Sequence, residues 1–134
     1  MIKNLYLFGA MCIAILLFGC ESTQGQDIAA VKLEGNMATV ELKGNPTTGY
    51  TWLYTMSPEG IVREIFNDYI PDKTDENIVG SGGKFVFSFE AVSQGEAELV
   101  FSYLRVWEKD IPALETITYR AVVDDKGNLT LTKK

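Results

Sequence analysis

Apolar and polar residues alternate along several short stretches of the chain, and each stretch is bounded by turn residues. In residues 37–43, Ala38, Val40 and Leu42 fall on one face, and Thr39, Glu41 and Lys43 on the other. This period of two residues is typical of a strand with one buried face. The pattern predicts strands over residues 28–33, 37–43, 51–55, 61–70, 84–92, 97–105 and 116–123, and a closing strand around Leu129 and Leu131. The stretch 61–70 would also suit a helical turn.

Short strands separated by turns define the fold class. Ser57-Pro58-Glu59-Gly60 and Ser93-Gln94-Gly95-Glu96 carry typical turn chemistry. About eight strands at a spacing of about 8–12 residues predict an all-β protein, an immunoglobulin-like antiparallel β-sandwich. We also expect strands 84–92 and 97–105 to form a hairpin folded at Gln94 and Gly95, which would place position 84 opposite position 105.

The first 19 residues differ from the rest of the chain. Lys3 is followed by an almost unbroken apolar run from Leu5 to Phe18, and a polar segment opens at Glu21. The run is too short for a comfortable membrane span and lacks a basic flank, so it predicts a secretory signal peptide. The predicted organisation is a signal peptide at 1–19, a polar tether at 20–26 and one domain at 27–134.

Leu17-Phe18-Gly19-Cys20 resembles a bacterial lipobox, with Phe18 where a smaller residue is commoner. The resemblance implies lipidation at Cys20 and anchoring to a bacterial membrane, on the periplasmic side or at the cell surface. Each buried CH2 of an acyl chain would contribute about 0.8 kcal/mol to membrane binding. Plain cleavage and secretion is the alternative. In either case Cys12 leaves with the signal, so an intrachain disulfide is not expected.

Composition excludes several functional classes. The chain has a net charge of −6 and no histidine. An acidic surface argues against nucleic acid as a partner. Without histidine or a second thiol in the domain, the usual Ser-His and Cys-His catalytic pairs and nearly all zinc sites are unavailable. We therefore expect neither an enzyme nor a bound cofactor or metal.

The most distinctive segment follows the strand at 37–43. It reads Asn45-Pro46-Thr47-Thr48-Gly49-Tyr50. Pro46 fixes its own φ and keeps Asn45 out of the helical region, while Gly49 permits a positive φ. The sequence therefore predicts a stiff, narrow turn with two small side chains, Thr47 and Thr48, at its tip.

Two further segments are unusual for simple connections. One is Gly80-Ser81-Gly82-Gly83, and the other is Arg105-Val106-Trp107. The glycines do not fit a phosphate loop, because neither a Lys-Ser/Thr pair nor a helix follows them. If each strand reverses the direction of the one before, the loops at 44–50, 71–83 and 105–115 emerge at the same end of the sandwich. Scaffolded loops carrying Arg and Trp are typical of binding sites.

The three segments resemble the signature loops of the chagasin family of cysteine peptidase inhibitors, in the same order and at similar separations. The third departs from the family pattern, because Val106 stands where the family usually has proline. The resemblance implies a monomeric, reversible inhibitor of papain-type peptidases. The loop from Asn45 to Tyr50 would enter the active-site cleft, and the Gly80–Gly83 and Arg105–Trp107 segments would contact the walls on either side.

Two other functions fit the same loops. A lipid-anchored immunoglobulin-like adhesion or assembly module would use the rim to bind another surface protein. A carbohydrate-binding sandwich would use Tyr50, Trp52 and Trp107 as stacking platforms.

Overall fold

The computed structural model describes residues 27–73 and 82–134. Within these residues the chain forms eight strands and one short 3-10 helix. The strands are β1 Ala29–Glu34, β2 Met37–Gly44, β3 Thr51–Ser57, β4 Val62–Pro71, β5 Gly83–Ala91, β6 Gly95–Leu104, β7 Glu115–Val123 and β8 Leu129–Lys133, and the 3-10 helix is Pro46–Thr48. The predicted signal peptide (1–19), the tether with Cys20, and Gly80 and Ser81 lie outside the described residues.

The strands form two antiparallel sheets of four strands each. The first sheet has the order β1-β2-β5-β4, and the second has the order β3-β6-β7-β8. The all-β sandwich predicted from the alternation of apolar and polar residues is therefore confirmed, and residues 62–71 form a strand and not a helical turn. No helix in the described parts of the chain is long and apolar enough to cross a membrane.

The core lies between the sheets and is built from the faces that the alternation predicts. Val40, Leu42, Phe89, Leu99 and Phe101 are completely buried. Aromatic rings join the two layers: the ring centroid of Phe101 on β6 lies 5.3 Å from that of Phe87 and 6.2 Å from that of Phe89, both on β5. Such tilted and edge-to-face pairs stabilise a core beyond the burial of their area. Packing of this kind can hold a sandwich without a disulfide.

The predicted hairpin between residues 84–92 and 97–105 is wrong. β5 pairs with β2 and β4, whereas β6 pairs with β3 and β7, so the chain crosses from one sheet to the other between them. The connection is held from elsewhere, because the Val92 and Ser93 amides both donate to the Ile61 carbonyl. The aromatic faces of β5 and β6 therefore meet across the core and not side by side.

Strand register brings the first loop, the start of β5 and the third loop to one end of the sandwich, which we call the rim. Gly44, the last residue of β2, pairs with Gly83, the first residue of β5. In the other sheet, Thr51 at the start of β3 pairs with Leu104 at the end of β6. The loop after β2, the start of β5 and the loop after β6 therefore lie together, as the alternating strand directions predict.

Candidate functional site

The first loop, residues 45–50, is closed by its own hydrogen bonds. Asn45 caps the 3-10 turn, with its Oδ1 accepting from the Thr47 amide at 3.1 Å and from the Thr47 hydroxyl at 2.6 Å. The Thr48 hydroxyl donates to the Asn45 carbonyl at 2.6 Å. Gly49 ends the turn with φ +85° and donates its N–H to the Pro46 carbonyl at 3.0 Å. The predicted stiff turn is thus a capped 3-10 helix whose threonine hydroxyls are both used internally.

The base of this loop is fixed to the sandwich by aromatic residues. The backbone amide of Asn45 donates to the Tyr103 hydroxyl at 3.0 Å. The Tyr103 ring stacks on Trp52 with a centroid distance of 5.0 Å. Trp52 is 3% exposed and donates its indole N–H to the Lys43 carbonyl at 3.0 Å. Because Trp52 is buried, it cannot serve as a platform for a sugar. The carbohydrate-binding surface expected from Tyr50, Trp52 and Trp107 therefore loses one of its three rings.

Arg105 joins the third loop, residues 105–114, to the first. Its Nε donates to the Thr48 carbonyl at 3.0 Å, and its Cζ lies 4.5 Å from the centroid of the Tyr50 ring. Its Nη1 donates to Glu108 Oε1 at 3.0 Å. One guanidinium therefore makes a backbone contact, a cation–π contact and an ion pair, and so orients the first loop from the side.

Trp107 lies against Gly49. A Cβ placed on Gly49 would come 2.3 Å from Cη2 of the indole, so only glycine fits beneath this ring. Even so, Trp107 is 63% exposed, and its neighbour Val106 is 61% exposed. Trp107 is therefore not a cap on the core but a large apolar surface beside the exposed tip of Pro46, Thr47 and Thr48.

The described glycines of the second segment pack against the base of the first loop. A Cβ on Gly82 would lie 3.2 Å from the Gly44 carbonyl oxygen, and a Cβ on Gly83 would lie 2.4 Å from that of Ile70. Gly83 is buried. Its expected contact with a partner is therefore corrected: Gly83 permits close packing of β4 and β5, and Gly82 is the described residue of this segment nearer the surface.

The sequence alone did not indicate two contacts at the rim, those of Tyr103 with Asn45 and of Glu108 with Arg105. In the alternating stretch 97–105, Tyr103 falls on the same face as Leu99 and Phe101, and this pattern does not indicate that its hydroxyl accepts from the backbone amide of Asn45. Glu108 stands three residues after Arg105. In a tight turn this spacing allows an ion pair, so a turn predicted at 105–108 is the signal that would indicate it.

The rim offers shape more than reactive chemistry. In the described parts of the chain, no group of His, Cys, Asp or Glu residues could hold a metal ion. Burial, together with the nearby Asp72 and Tyr103, raises the pKa of Tyr69 at this end. A stiff exposed tip with an indole at its side is typical of the loop surfaces through which binding domains contact a macromolecular partner.

Comparison with known proteins identifies the family. The sequence profile of the chagasin family of peptidase inhibitors, I42, matches residues 31–121, which include all three loop segments. The chain belongs to this family, which consists of peptidase inhibitors and not enzymes.

Individual relatives agree with this assignment. The chain is 35% identical to amoebiasin-1 of Entamoeba histolytica over 74 residues, covering 55% of this chain and 70% of the relative. It is 29% identical to chagasin of Trypanosoma cruzi over 77 residues, covering 54% of this chain and 68% of chagasin. The crystal structure of the cysteine protease inhibitor EhICP2 from E. histolytica has the same fold, with a TM-score of 0.60 and 23% identity over 66% of this chain and 78% of that one.

Proposed function

We propose that this chain inhibits papain-like cysteine peptidases by placing the first loop in the active-site cleft, over the catalytic cysteine and histidine of the enzyme. The observation that carries the proposal is the exposed tip of Pro46, Thr47 and Thr48, held by internal hydrogen bonds and bordered by the exposed Trp107. Gly82 and the third loop would contact the cleft walls on either side.

The stiffness of the loop supports tight binding. Both threonine hydroxyls and the Asn45 side chain already have partners within the loop. A segment that is ordered before docking loses little conformational entropy on binding, so more of the contact energy becomes affinity. Small tip side chains also suit a narrow cleft, and a standard interface of about 800 Å² per partner is within reach of loops of this size.

The same hydrogen bonds explain how the loop could occupy the cleft without being cut. The carbonyl oxygens of Asn45, Pro46 and Thr48 accept bonds from Thr48, Gly49 and Arg105 respectively. Cleavage requires a carbonyl that is aligned for attack and free to enter the oxyanion hole. A carbonyl held by a donor of the inhibitor itself is less free to turn toward the nucleophile and the oxyanion hole.

Titration of papain with purified residues 21–134 tests the proposal, since these residues contain the whole described core. We expect reversible, stoichiometric inhibition. In a variant with Thr47→Glu and Thr48→Arg, bulky charged side chains would keep the tip out of the cleft, so inhibition should fall at least 100-fold with the melting temperature nearly unchanged. An inhibition constant equal to that of the wild type would rule out insertion of this loop. Binding to another surface protein without any effect on papain-like peptidases would favour an adhesion or assembly module.

A second part of the proposal concerns localisation. We propose that the chain is exported and anchored to a bacterial membrane through a lipid on Cys20, as the Leu17-Phe18-Gly19-Cys20 segment suggests. Mass spectrometry of the N-terminal peptide from membranes should find an acylated cysteine, and Cys20→Ser should release the protein from the membrane fraction. An unmodified N-terminus in a fully soluble protein would contradict the anchor.

A further inference from the structure

The third loop begins with a tight turn whose second position suits proline. The Glu108 amide donates to the Arg105 carbonyl at 3.1 Å, which makes Arg105, Val106, Trp107 and Glu108 the four residues of a β-turn. Proline is favoured at the second position of the common turn types because it fixes φ before the turn forms. Val106 occupies that position here, so the turn lacks this source of stiffness.

Glu108 supplies a second link across the same turn. Its Oε1 accepts from Arg105 Nη1 at 3.0 Å, so both its backbone and its carboxylate bind Arg105. The two side chains are 34% and 24% exposed, whereas those of the pair between Arg120 and Glu96 are 53% and 56% exposed. Solvent and salt screen a partly covered pair less than an open one, so the link across this turn is the more effective of the two.

The ion pair also determines where the guanidinium plane lies. The Arg105 guanidinium donates to Glu108 through Nη1 and to the Thr48 carbonyl through Nε, and it rests on the Tyr50 ring. Because a guanidinium is planar and rigid, fixing one of its nitrogens restricts the direction of the others. Glu108 is thereby coupled to the backbone of the first loop without touching it.

We propose that Glu108 is a positioning residue for inhibition: it stiffens the turn that carries Trp107 and holds Arg105 against the first loop, in place of a proline at position 106. The role in inhibition rests on the proposed function. A loop held in its bound shape should dissociate slowly from the peptidase, so the effect should appear mainly in the dissociation rate.

Glu108→Gln tests this role, because glutamine keeps the size of the side chain and removes its charge. We expect the inhibition constant for papain to rise about tenfold, mainly through faster dissociation. A tenfold rise corresponds to a loss of about 1.4 kcal/mol in binding free energy. The melting temperature should stay within about 2 °C of the wild type, because the pair lies at the surface. The matched control is Glu96→Gln, which removes the charge from an exposed pair with Arg120. This pair joins β6 and β7 at the end of β6 away from the rim, so the change should leave inhibition unchanged.

Val106→Pro separates positioning from a general structural effect. If proline takes over the role of Glu108, then Glu108→Gln should cost at most about twofold in the Val106→Pro background, against about tenfold alone. Equal losses in both backgrounds, or wild-type inhibition by Glu108→Gln alone, would overturn the proposal.

A readout that does not depend on inhibition distinguishes the two proposals. The Nε–H of Arg105 donates to the Thr48 carbonyl, so its hydrogen exchange by NMR should be slow in the wild type and several-fold faster in Glu108→Gln. Unchanged exchange would show that Glu108 does not hold Arg105. Failure of the wild type to inhibit papain-like peptidases would overturn the proposed function, while the exchange rate would still decide whether Glu108 orients the guanidinium.

Discussion

At the scale of single residues, Gly49 shows why a short motif tolerates so little change. Its φ of +85° places it in the left-handed region, which disfavours side chains, and its α-carbon lies directly under the Trp107 ring. The sequence alone predicted the first requirement from the Pro–Gly spacing. It could not predict the second, because the contact depends on a residue that is distant in the chain and is brought near by the pairing of β3 with β6.

Gly49→Ala should therefore impair inhibition more than stability. We expect a loss of about 1–2 kcal/mol in the free energy of unfolding from backbone strain, together with displacement of the indole. Gly60→Ala is the matched control, because Gly60 has a similar φ of +91° and no atom within 4 Å of an added Cβ. Urea unfolding should show comparable losses for the two variants, whereas papain inhibition should weaken at least tenfold for Gly49→Ala alone. Equal inhibition by both variants would show that the Trp107 position does not matter.

At the scale of elements, period-two alternation predicts the strands well but does not choose their partners. Successive strands joined by a short turn can pair side by side or face each other across a sandwich, and the inward aromatic residues of β5 and β6 suit both arrangements. In the structure both faces of β5 are covered, because Val86 and Ser88, on the face opposite Phe85, Phe87 and Phe89, are also buried, each 8% exposed. A strand buried on both faces lies in the middle of its sheet, as β5 does between β2 and β4.

Cross-strand charges on the outer face of this sheet lead to a prediction about pH. The Glu41 carboxylate on β2 accepts from Lys32 on β1 at 2.8 Å and from Lys84 on β5 at 3.1 Å. These bonds lower the pKa of Glu41 below its ordinary value. A carboxylate whose pKa is lower in the folded state stabilises the fold above its unfolded-state pKa, and this contribution is lost as the pH falls through the folded-state pKa.

Glu41→Gln should accordingly reduce stability at pH 7 by about 1 kcal/mol, since the lysines are largely exposed and the pair is partly screened. The difference from the wild type should shrink as the pH falls below the unfolded-state pKa of a glutamate, about 4.3, and through the lower folded-state pKa. Urea unfolding at pH 7, 5 and 3 measures this change. A difference that stays constant over this range would mean that the variant acts through packing and not through charge.

At the scale of the whole molecule, the position of the first described residues matters as much as the loops. The Ile28 carbonyl accepts from the Lys43 amide at 2.8 Å, and Ala29 pairs with Leu42, so Asp27 lies at the rim beside the first loop. The sequence predicted three loops at one end, but it did not indicate that the N-terminal approach to the domain shares that end. This arrangement follows from the antiparallel pairing of β1 with β2, which returns the start of β1 to the end of β2.

If Cys20 carries a lipid, the binding surface stays close to the bilayer. The seven residue steps from Cys20 to Asp27 span at most about 25 Å, whereas a peptidase domain of about 200 residues is roughly 40 Å across. Membrane-bound inhibitor should therefore bind papain several-fold more slowly than the Cys20→Ser protein, because the peptidase must reach the rim from the side. A flexible insertion of about 20 Gly/Ser residues before Asp27 should remove the difference. Stopped-flow association rates on liposomes measure the effect, with inhibitor free in solution as the reference. Equal rates for the short and the extended tether would contradict the prediction, because they would show that the short tether does not restrict access of the peptidase to the rim.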